Sequence, residues 1–251
     1  MSRLPRGPGA AIHYETHGEG PAVLLSHGFG LTARMWAGQV EALAPANRLI
    51  LWDLRGHGRS DSPEDAGLYD PEACVADMAA LLDAEGIERA VVGGLSLGGY
   101  LSLAFHLRHP ERVRALMLFD CGPGFRRDEP REAWNERTRQ RSGRIAAGDA
   151  RALSELEPDG HGDLAGVARA ARWMMLHHDA SVLESLPSVR APTLVLVGEH
   201  DAPFRGAADY MARKIPNAEQ VVLPGAGHTA NFDNPAAFNA AVSAFLARLP
   251  A

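Results

Sequence analysis

One serine lies at the point where a buried strand is expected to turn directly into a helix. Residues 91–100 read VVGGLSLGGY, so Ser96 has a glycine two residues before it and another two residues after it. Small residues at these positions let the strand and the helix pack closely around a sharp turn that exposes the serine hydroxyl. Backbone N–H groups at a helix N-terminus favour negative charge, so the N–H of Leu97 could stabilise an oxyanion. The pattern predicts Ser96 as a nucleophile.

A nucleophilic serine needs a general base and an acid that orients the base, and two later loops contain these residue types. His228 follows the last expected strand in the loop PGAGH, and Asp201 follows the preceding strand in the segment VGEHDAP. The chain order Ser96, Asp201, His228 is the order described for a nucleophile on this type of turn. Asp120, at the end of an earlier strand, is the alternative acid. We favour Asp201 because a proline follows it in its loop and the histidine loop comes shortly after it.

A glycine-rich loop follows another buried strand. Residues 26–30 read SHGFG, and the glycines would let the backbone approach a ligand closely. The N–H of Phe29 could then be a second oxyanion donor. His27 is a candidate substrate contact, although a histidine before a glycine turn more often holds loops together. The polar loop at residues 52–61 is interpreted as structural support for the site.

The composition excludes several classes of protein. The 251 residues carry a formal net charge of −6, so no basic excess is available to neutralise nucleic-acid phosphates. No run approaches about 18 consecutive apolar residues, and no apolar run follows Arg3 and Arg6, so we expect neither a membrane span nor a secretory signal. The expected location is the cytoplasm. Cys74 and Cys121 are separate thiols in apolar surroundings and are interpreted as core residues.

No metal and no cofactor are expected. His177 and His178 are adjacent, but adjacent residues on a helix do not share a face, and no other set with metal-ligand spacing accompanies them. The glycines at residues 28–30 and 94–99 do not give the Gly-x-Gly-x-x-Gly spacing with a distant acid that dinucleotide binding requires.

Short apolar runs alternate with segments of helical period, which is typical of β-α-β units around a mostly parallel sheet. Strands are expected at residues 11–16, 21–26, 48–52, 90–95, 113–119, 192–198 and 219–223, and helices at residues 33–44, 71–85, 97–108, 203–214 and 235–248. The first strand is amphipathic and is expected to be an antiparallel edge. The later strands are near-continuous apolar runs, as expected for strands covered by helices on both faces.

The alternation stops between residues 121 and 190, where helix formers and arginines dominate and turn residues lie at both junctions. We interpret residues 121–190 as a helical insertion. Its large apolar side chains are expected mainly in the core of the insertion, and at most one or two should reach a substrate. Trp173 is the candidate chosen from a set that also contains Trp134, Met174 and Met175. The arginines between residues 126 and 144 alternate with acids and are expected on a solvated face, but a single one could bind a substrate carboxylate.

Together these motifs resemble the α/β-hydrolase superfamily, in the capped group that includes small carboxylesterases, enol-lactonases, carbon–carbon bond hydrolases, cofactor-free perhydrolases and epoxide hydrolases. The resemblance covers about residues 12–120 and 190–250. It implies an α/β-hydrolase fold, with a mostly parallel central sheet flanked by helices and a helical cap inserted after the sixth strand. Residues 1–120 and 191–251 would form the core, and residues 121–190 would form the cap.

The resemblance also implies roles for single residues. Ser96 would be the nucleophile, His228 the general base and Asp201 its orienting acid, with the N–H groups of Phe29 and Leu97 as the oxyanion hole. The implied activity is hydrolysis of a small-molecule carboxylic ester or lactone through an acyl-enzyme, without a cofactor. The resemblance fixes neither the substrate nor the oligomeric state.

Positions at which this sequence departs from the family's patterns make some of the family's reaction classes less favoured than others. A serine at position 96 argues against dehalogenases and epoxide hydrolases, whose usual nucleophile is aspartate. Residues 29–32 depart from the oxyanion loop common in carbon–carbon bond hydrolases, and Tyr100, a further candidate substrate contact, stands where related lyases tend to have arginine. Residues 94–99 and 53–58 are similar to enol-lactonases, so enol-lactone hydrolysis is the first alternative, followed by carbon–carbon bond hydrolysis. A ligand receptor with this fold and little turnover is the alternative from another class.

Overall fold

A mostly parallel sheet forms the centre of the protein. The computed structural model describes residues 2–7 and 9–250, and within them the strands are β1 (Ser2–Leu4), β2 (Ile12–His17), β3 (Ala22–Ser26), β4 (Arg48–Trp52), β5 (Ala90–Leu95), β6 (Val113–Phe119), β7 (Thr193–Gly198) and β8 (Ala218–Leu223). Their spatial order is β1-β2-β4-β3-β5-β6-β7-β8. The pairs β1–β2 and β2–β4 are antiparallel, and every other neighbouring pair is parallel. The expected α/β class and the mostly parallel sheet are confirmed.

Helices cover both faces of the sheet. In chain order they are α1 (Ala37–Leu43), α2 (Pro71–Ala84), α3 (Leu97–Arg108), α4 (Asp128–Ala146), α5 (Ala150–Leu153), α6 (Leu164–Trp173), α7 (Ser181–Ser185), α8 (Ala202–Lys214), α9 (Ala230–Asp233) and α10 (Pro235–Ala247). The expected helix at 33–44 begins as a 3₁₀ turn and continues as α1. In the part of the chain that the structure describes, no helix is long and apolar enough to cross a membrane.

Successive side chains of the central strands point to opposite faces and build two cores. In β3, Leu24 packs in one core with residues of α2, α3 and α8, whereas Val23 and Leu25 pack in the other core with residues of α1 and α10. All three side chains are fully buried, and each such burial contributes about 1.5–3 kcal/mol to folding. Because helices cover both faces, the carboxyl ends of β5, β6 and β7 are held firmly in place.

The antiparallel edge of the sheet differs from the sequence-based expectation. The strand expected at residues 11–16 is antiparallel, as predicted, but it pairs with β1 on one side and β4 on the other. The prediction that it forms the edge is therefore wrong, since β1 is the edge strand. β1 has only three residues, and its mostly exposed side chains give no alternation that the sequence could show.

The chain between β6 and β7 contains α4 to α7. The helices α4 and α6 pack together, with Ile145 of α4 and Val167 and Ala171 of α6 buried in the same core as Leu24. His177 and His178 lie between α6 and α7 in non-helical backbone, so the expectation that they occupy a helix is wrong. The separation of this segment as a cap stays a prediction.

Candidate active site

Ser96 occupies a strained turn between β5 and α3. Its φ is 54° and its ψ is −111°, a backbone conformation that residues other than glycine rarely adopt. A Cβ atom on Gly94 would lie 2.5 Å from the carbonyl oxygen of Ser26, and a Cβ atom on Gly98 would overlap the same oxygen. The two glycines therefore let β3 approach the turn, while the Ser96 N–H donates to the carbonyl of Phe119 at 2.9 Å. Such a backbone conformation costs of order 1–3 kcal/mol, and the packing of the surrounding residues offsets this cost.

Asp201 and His228 are joined by a hydrogen bond. The Nδ1 atom of His228 lies 2.9 Å from Oδ2 of Asp201. Asp201 is only 3% exposed, whereas the side chain of His228 is 43% exposed. The ring of Phe204, in the first turn of α8, stacks on the His228 ring with centroids 4.9 Å apart. Because the carboxylate accepts the Nδ1 proton, the Nε2 atom of His228 is left as a proton acceptor.

Asp120 is buried behind this pair and makes a different contact. It directly follows β6, has a φ of 46° and is fully buried. Its Oδ1 atom accepts the N–H of Gly198 at 2.7 Å. Burial, followed by the nearby charge of Asp201, raises the pKa of Asp120 to about 7. The structure thus pairs His228 with the favoured acid, Asp201, and uses Asp120 to hold the end of β7.

The loop that carries Phe29 lies against the Ser96 turn. A Cβ atom on Gly28 would lie 3.0 Å from the side chain of Leu95, the residue before Ser96. The loop is held by a hydrogen bond from the Gly30 N–H to His57 Nε2 at 3.2 Å. Among the described residues, neither the Phe29 N–H nor the Leu97 N–H donates a hydrogen bond. Both donors are thus free, and their role as an oxyanion hole stays a prediction.

A cavity of about 290 Å³ adjoins Ser96. Its wall is mostly apolar, and the polar or charged side chains in it are Ser96, Tyr100, Arg137 and His177. The other residues of the wall are Leu97, Gly122, Pro123, Gly124, Phe125, Trp134, Met175, Pro203, Phe204 and Ala207. Tyr100, a predicted substrate contact, thus lies beside Ser96. Apolar walls with a few convergent polar groups are typical of small-molecule sites.

The other two predicted substrate contacts lie outside this cavity. His27 is fully buried, its Nδ1 donates to the Gly28 carbonyl at 2.7 Å, and its Nε2 accepts the N–H of Leu54 at 2.9 Å. Both ring nitrogens are therefore occupied in joining loops. Trp173 packs partly buried against the core, with the guanidinium of Arg172 5.2 Å from its ring centre. The structure gives neither residue a place in the cavity wall.

The sequence matches a known family over most of its length. Residues 23–241 match the alpha/beta hydrolase family. The chain belongs to this family. Among the relatives of this alpha/beta hydrolase is a provisionally named carbamate hydrolase, RutD, from Caulobacter sp. (strain K31). The two sequences are 32% identical, over 94% of this chain and 95% of the relative.

Solved structures of other hydrolases share the architecture. A thermophilic esterase from Thermogutta terrifontis, solved with malate bound, superposes with a TM-score of 0.81 at 30% identity, covering 99% of each chain. An enol-lactonase from Burkholderia xenovorans LB400 superposes with a TM-score of 0.76 at 29% identity, covering 96% of this chain and 98% of the neighbour. The predicted α/β-hydrolase fold is thereby confirmed.

Several residues of this alpha/beta hydrolase that line the cavity had little or no signal in the sequence. Of the large residues proposed from the segment 121–190, Trp134 and Met175 reach the cavity instead of Trp173. Phe125, His177 and Phe204 were not among the candidates. They lie on separate parts of the chain, so no local spacing connects them. The sequence supports one general expectation about the cavity wall, that at most one or two large apolar residues of the segment would reach a substrate.

Proposed function

We propose that the protein is a serine hydrolase that cleaves carboxylic esters through an acyl-enzyme. The observation that carries the proposal is the 2.9 Å hydrogen bond between a buried Asp201 and a half-exposed His228, which follow Ser96 in chain order. Ser96 itself lines an apolar cavity from a strained turn at the start of α3. A nucleophile, a base and an orienting acid in this relation are the parts that acyl transfer needs.

In the proposed mechanism, Nε2 of His228 removes the Ser96 proton as Oγ attacks the ester carbonyl. The N–H groups of Phe29 and Leu97 stabilise the resulting oxyanion, and removal of one such donor costs about 2.7–4 kcal/mol of barrier in other enzymes. The protonated His228 then gives its proton to the leaving alcohol. A water molecule activated by the same histidine attacks the acyl-enzyme and releases the acid.

We also propose that residues 121–190 act as a cap over the site. Six side chains that line the cavity come from this segment, namely Pro123, Phe125, Trp134, Arg137, Met175 and His177. The opposite wall comes from α3 and from the start of α8. Residues of the cap would thus choose the substrate, while the residues that carry out the chemistry extend from the sheet.

The cavity favours one second candidate, hydrolysis of a lactone or ester that carries a carboxylate. Arg137 lines the cavity, its guanidinium lies 5.8 Å from the ring centre of Trp134, and it has no ion pair among the described residues. Three other arginines of α4 do have acidic partners, as Arg139 does with Glu132 at 2.6 Å, whereas Arg144 has none among the described residues. A free cation in an apolar wall suits an anionic substrate. The similarity to an enol-lactonase, and to an esterase solved with malate, supports this candidate.

Labelling with a fluorophosphonate, mapped by mass spectrometry, tests the proposed nucleophile. We expect labelling at Ser96 and many turnovers of p-nitrophenyl esters of graded chain length, both lost in a folded Ser96→Ala variant. Normal turnover by Ser96→Ala would end the proposal. At most one product per protein from the wild type would instead favour a ligand receptor, because typical enzymes turn over about 1–1000 times per second.

The second candidate is tested with two substrates. Arg137→Gln should raise KM about three- to tenfold for a p-nitrophenyl ester that ends in a carboxylate and leave KM for p-nitrophenyl butyrate unchanged. The control is Arg144→Gln, on an exposed arginine of the same helix that is outside this cavity. Equal KM changes for both substrates would contradict a carboxylate-binding role.

A further inference from the structure

His177 is a polar side chain whose ring has no hydrogen-bond partner among the described residues. The residue is 7% exposed, and its Nδ1 atom is enclosed. It lines the same cavity as Ser96. Its other ring nitrogen, Nε2, also has no hydrogen-bond partner among the described residues and is not enclosed, so it is the nitrogen that an occupant of the cavity can reach. Buried polar groups in native proteins are nearly always paired, so an unpaired ring in a ligand cavity indicates a partner that the ligand supplies.

The surrounding residues hold the His177 ring in this position. The side-chain amide of Asn135 donates to the His177 carbonyl and accepts the His177 N–H, each at 3.0 Å. The ring packs on Tyr100 with centroids 4.3 Å apart, and the rings of Phe125 and Trp134 contact it edge-on. A side chain clamped at its backbone and on its faces loses little further freedom when it binds a ligand.

The backbone at Gly124 lies close to the ring of His177. A Cβ atom at Gly124 would lie 2.6 Å from the Nδ1 atom of His177, and Gly124 has a φ of 93°. The backbone can therefore pass the Nδ1 edge of the ring only because residue 124 has no side chain. Gly124 thus covers the Nδ1 edge of the ring, and Nε2, which is not enclosed, is the nitrogen open to an occupant of the cavity.

The charge of His177 restricts the chemistry of that occupant. Burial lowers the pKa of His177 to about 4, so the ring is neutral near pH 7. A neutral imidazole has one N–H donor and one acceptor nitrogen, which suits an uncharged oxygen better than a carboxylate. The cation of the cavity, Arg137, is a separate group on its wall.

We propose that His177 binds a neutral oxygen substituent, a ketone or a hydroxyl, on the part of the substrate that the cavity encloses. The inference rests on the proposed ester hydrolysis at Ser96 and names a feature of its substrate. A ketone would accept an N–H at Nε2, whereas a hydroxyl could accept from that N–H or, in the other tautomer, donate to Nε2. His177 thus selects oxygenated acyl or alcohol groups over plain alkyl groups of similar size.

Binding to a folded Ser96→Ala protein tests this inference without requiring turnover. Dissociation constants are measured by chemical-shift titration for methyl pentanoate, methyl 4-oxopentanoate and methyl 3-hydroxypentanoate. We expect at least one oxygenated ester to bind about tenfold more tightly than the plain ester, the effect of one buried hydrogen bond. Whether the ketone or the hydroxyl analogue gains more identifies the group.

Two further variants, made in the same Ser96→Ala protein, assign the preference to the imidazole. His177→Phe keeps an aromatic ring without nitrogens and should reduce the preference to about one, whereas His177→Gln keeps a donor and an acceptor and should retain part of it. The matched control is His178→Phe, on the neighbouring exposed histidine outside the cavity, which should leave the preference unchanged. An equal preference in His177→Phe and its parent, or no preference in the parent, would overturn the proposal. If the wild type does not turn over esters, that result would refute the proposed hydrolysis but not the binding by His177.

Discussion

Replacing Asp201 by asparagine tests the role of the buried carboxylate beside His228. The carboxylate accepts the Nδ1 proton of His228 at 2.9 Å and so fixes the tautomer in which Nε2 can take the proton of Ser96. An asparagine can place its NH₂ group at Nδ1 and favour the opposite tautomer. In serine enzymes with this arrangement, the same change lowers kcat by about 10⁴, or about 5 kcal/mol of barrier. We expect a loss of this order in Asp201→Asn.

Asp120→Asn is the matched control. The Oδ1 atom of Asp120 accepts the Gly198 N–H at 2.7 Å, and the amide oxygen of asparagine can accept the same hydrogen bond. Because the pKa of Asp120 is raised to about 7, its carboxyl is partly protonated near neutral pH, and a neutral amide changes the local charge little. We expect kcat of this variant to stay within about tenfold of the wild type.

The assay is steady-state hydrolysis of p-nitrophenyl butyrate by the wild type and both variants, at neutral pH. Melting temperatures show whether each variant is folded. A folded Asp120→Asn protein that loses as much activity as Asp201→Asn, or more, would refute the assignment of Asp201 as the orienting acid. It would mean that the buried carboxyl of Asp120 orients His228 in the reaction, although the hydrogen bond of His228 goes to Asp201.

Three further changes test other parts of the structure. Gly98→Ala should lower kcat/KM by about 100-fold or more, because its Cβ atom would overlap a backbone carbonyl of β3 and shift the Ser96 turn. The control is Gly206→Ala, in open space on α8, which should leave kcat/KM unchanged. Asp77→Ala should cost about 3–5 kcal/mol of unfolding free energy in urea titrations, since it leaves the buried Arg55 without the carboxylate 2.6 Å from its Nε; a loss below about 1 kcal/mol would contradict this. The pKa of His177 is lowered to about 4 in the fold, so the unfolded chain binds its proton more readily, and the unfolding free energy should fall as the pH drops from about 6.5 to about 4. His177→Phe should flatten that part of the pH curve, and an unchanged slope would refute the burial argument.

The parts of the site that the sequence could predict are those that local backbone chemistry determines. The Ser96 turn needs small residues at fixed distances on either side, and Gly94 and Gly98 meet that requirement within five residues of chain. Asp201 and His228 could be placed because parallel strands bring their carboxyl ends to one edge of the sheet. β1 could not be found, because three mostly exposed residues carry neither a periodic pattern nor a buried face.

The cavity wall could not be predicted for a different physical reason. Trp134 lines the cavity beside Ser96 and Trp173 does not, although both are large aromatic residues of the same segment. Their directions depend on how α4 packs on α6 and on the non-helical chain that follows α6, which are contacts between residues far apart in sequence. His177 is the clearest case, since its place in the wall is fixed by the amide of Asn135, more than forty residues earlier. A substitution in this segment can therefore change which groups meet the substrate while the Ser96 turn and the Asp201–His228 pair stay as they are. The substrate class should be tested first at Arg137 and His177, two polar groups of the cavity whose roles the proposed ester hydrolysis leaves open.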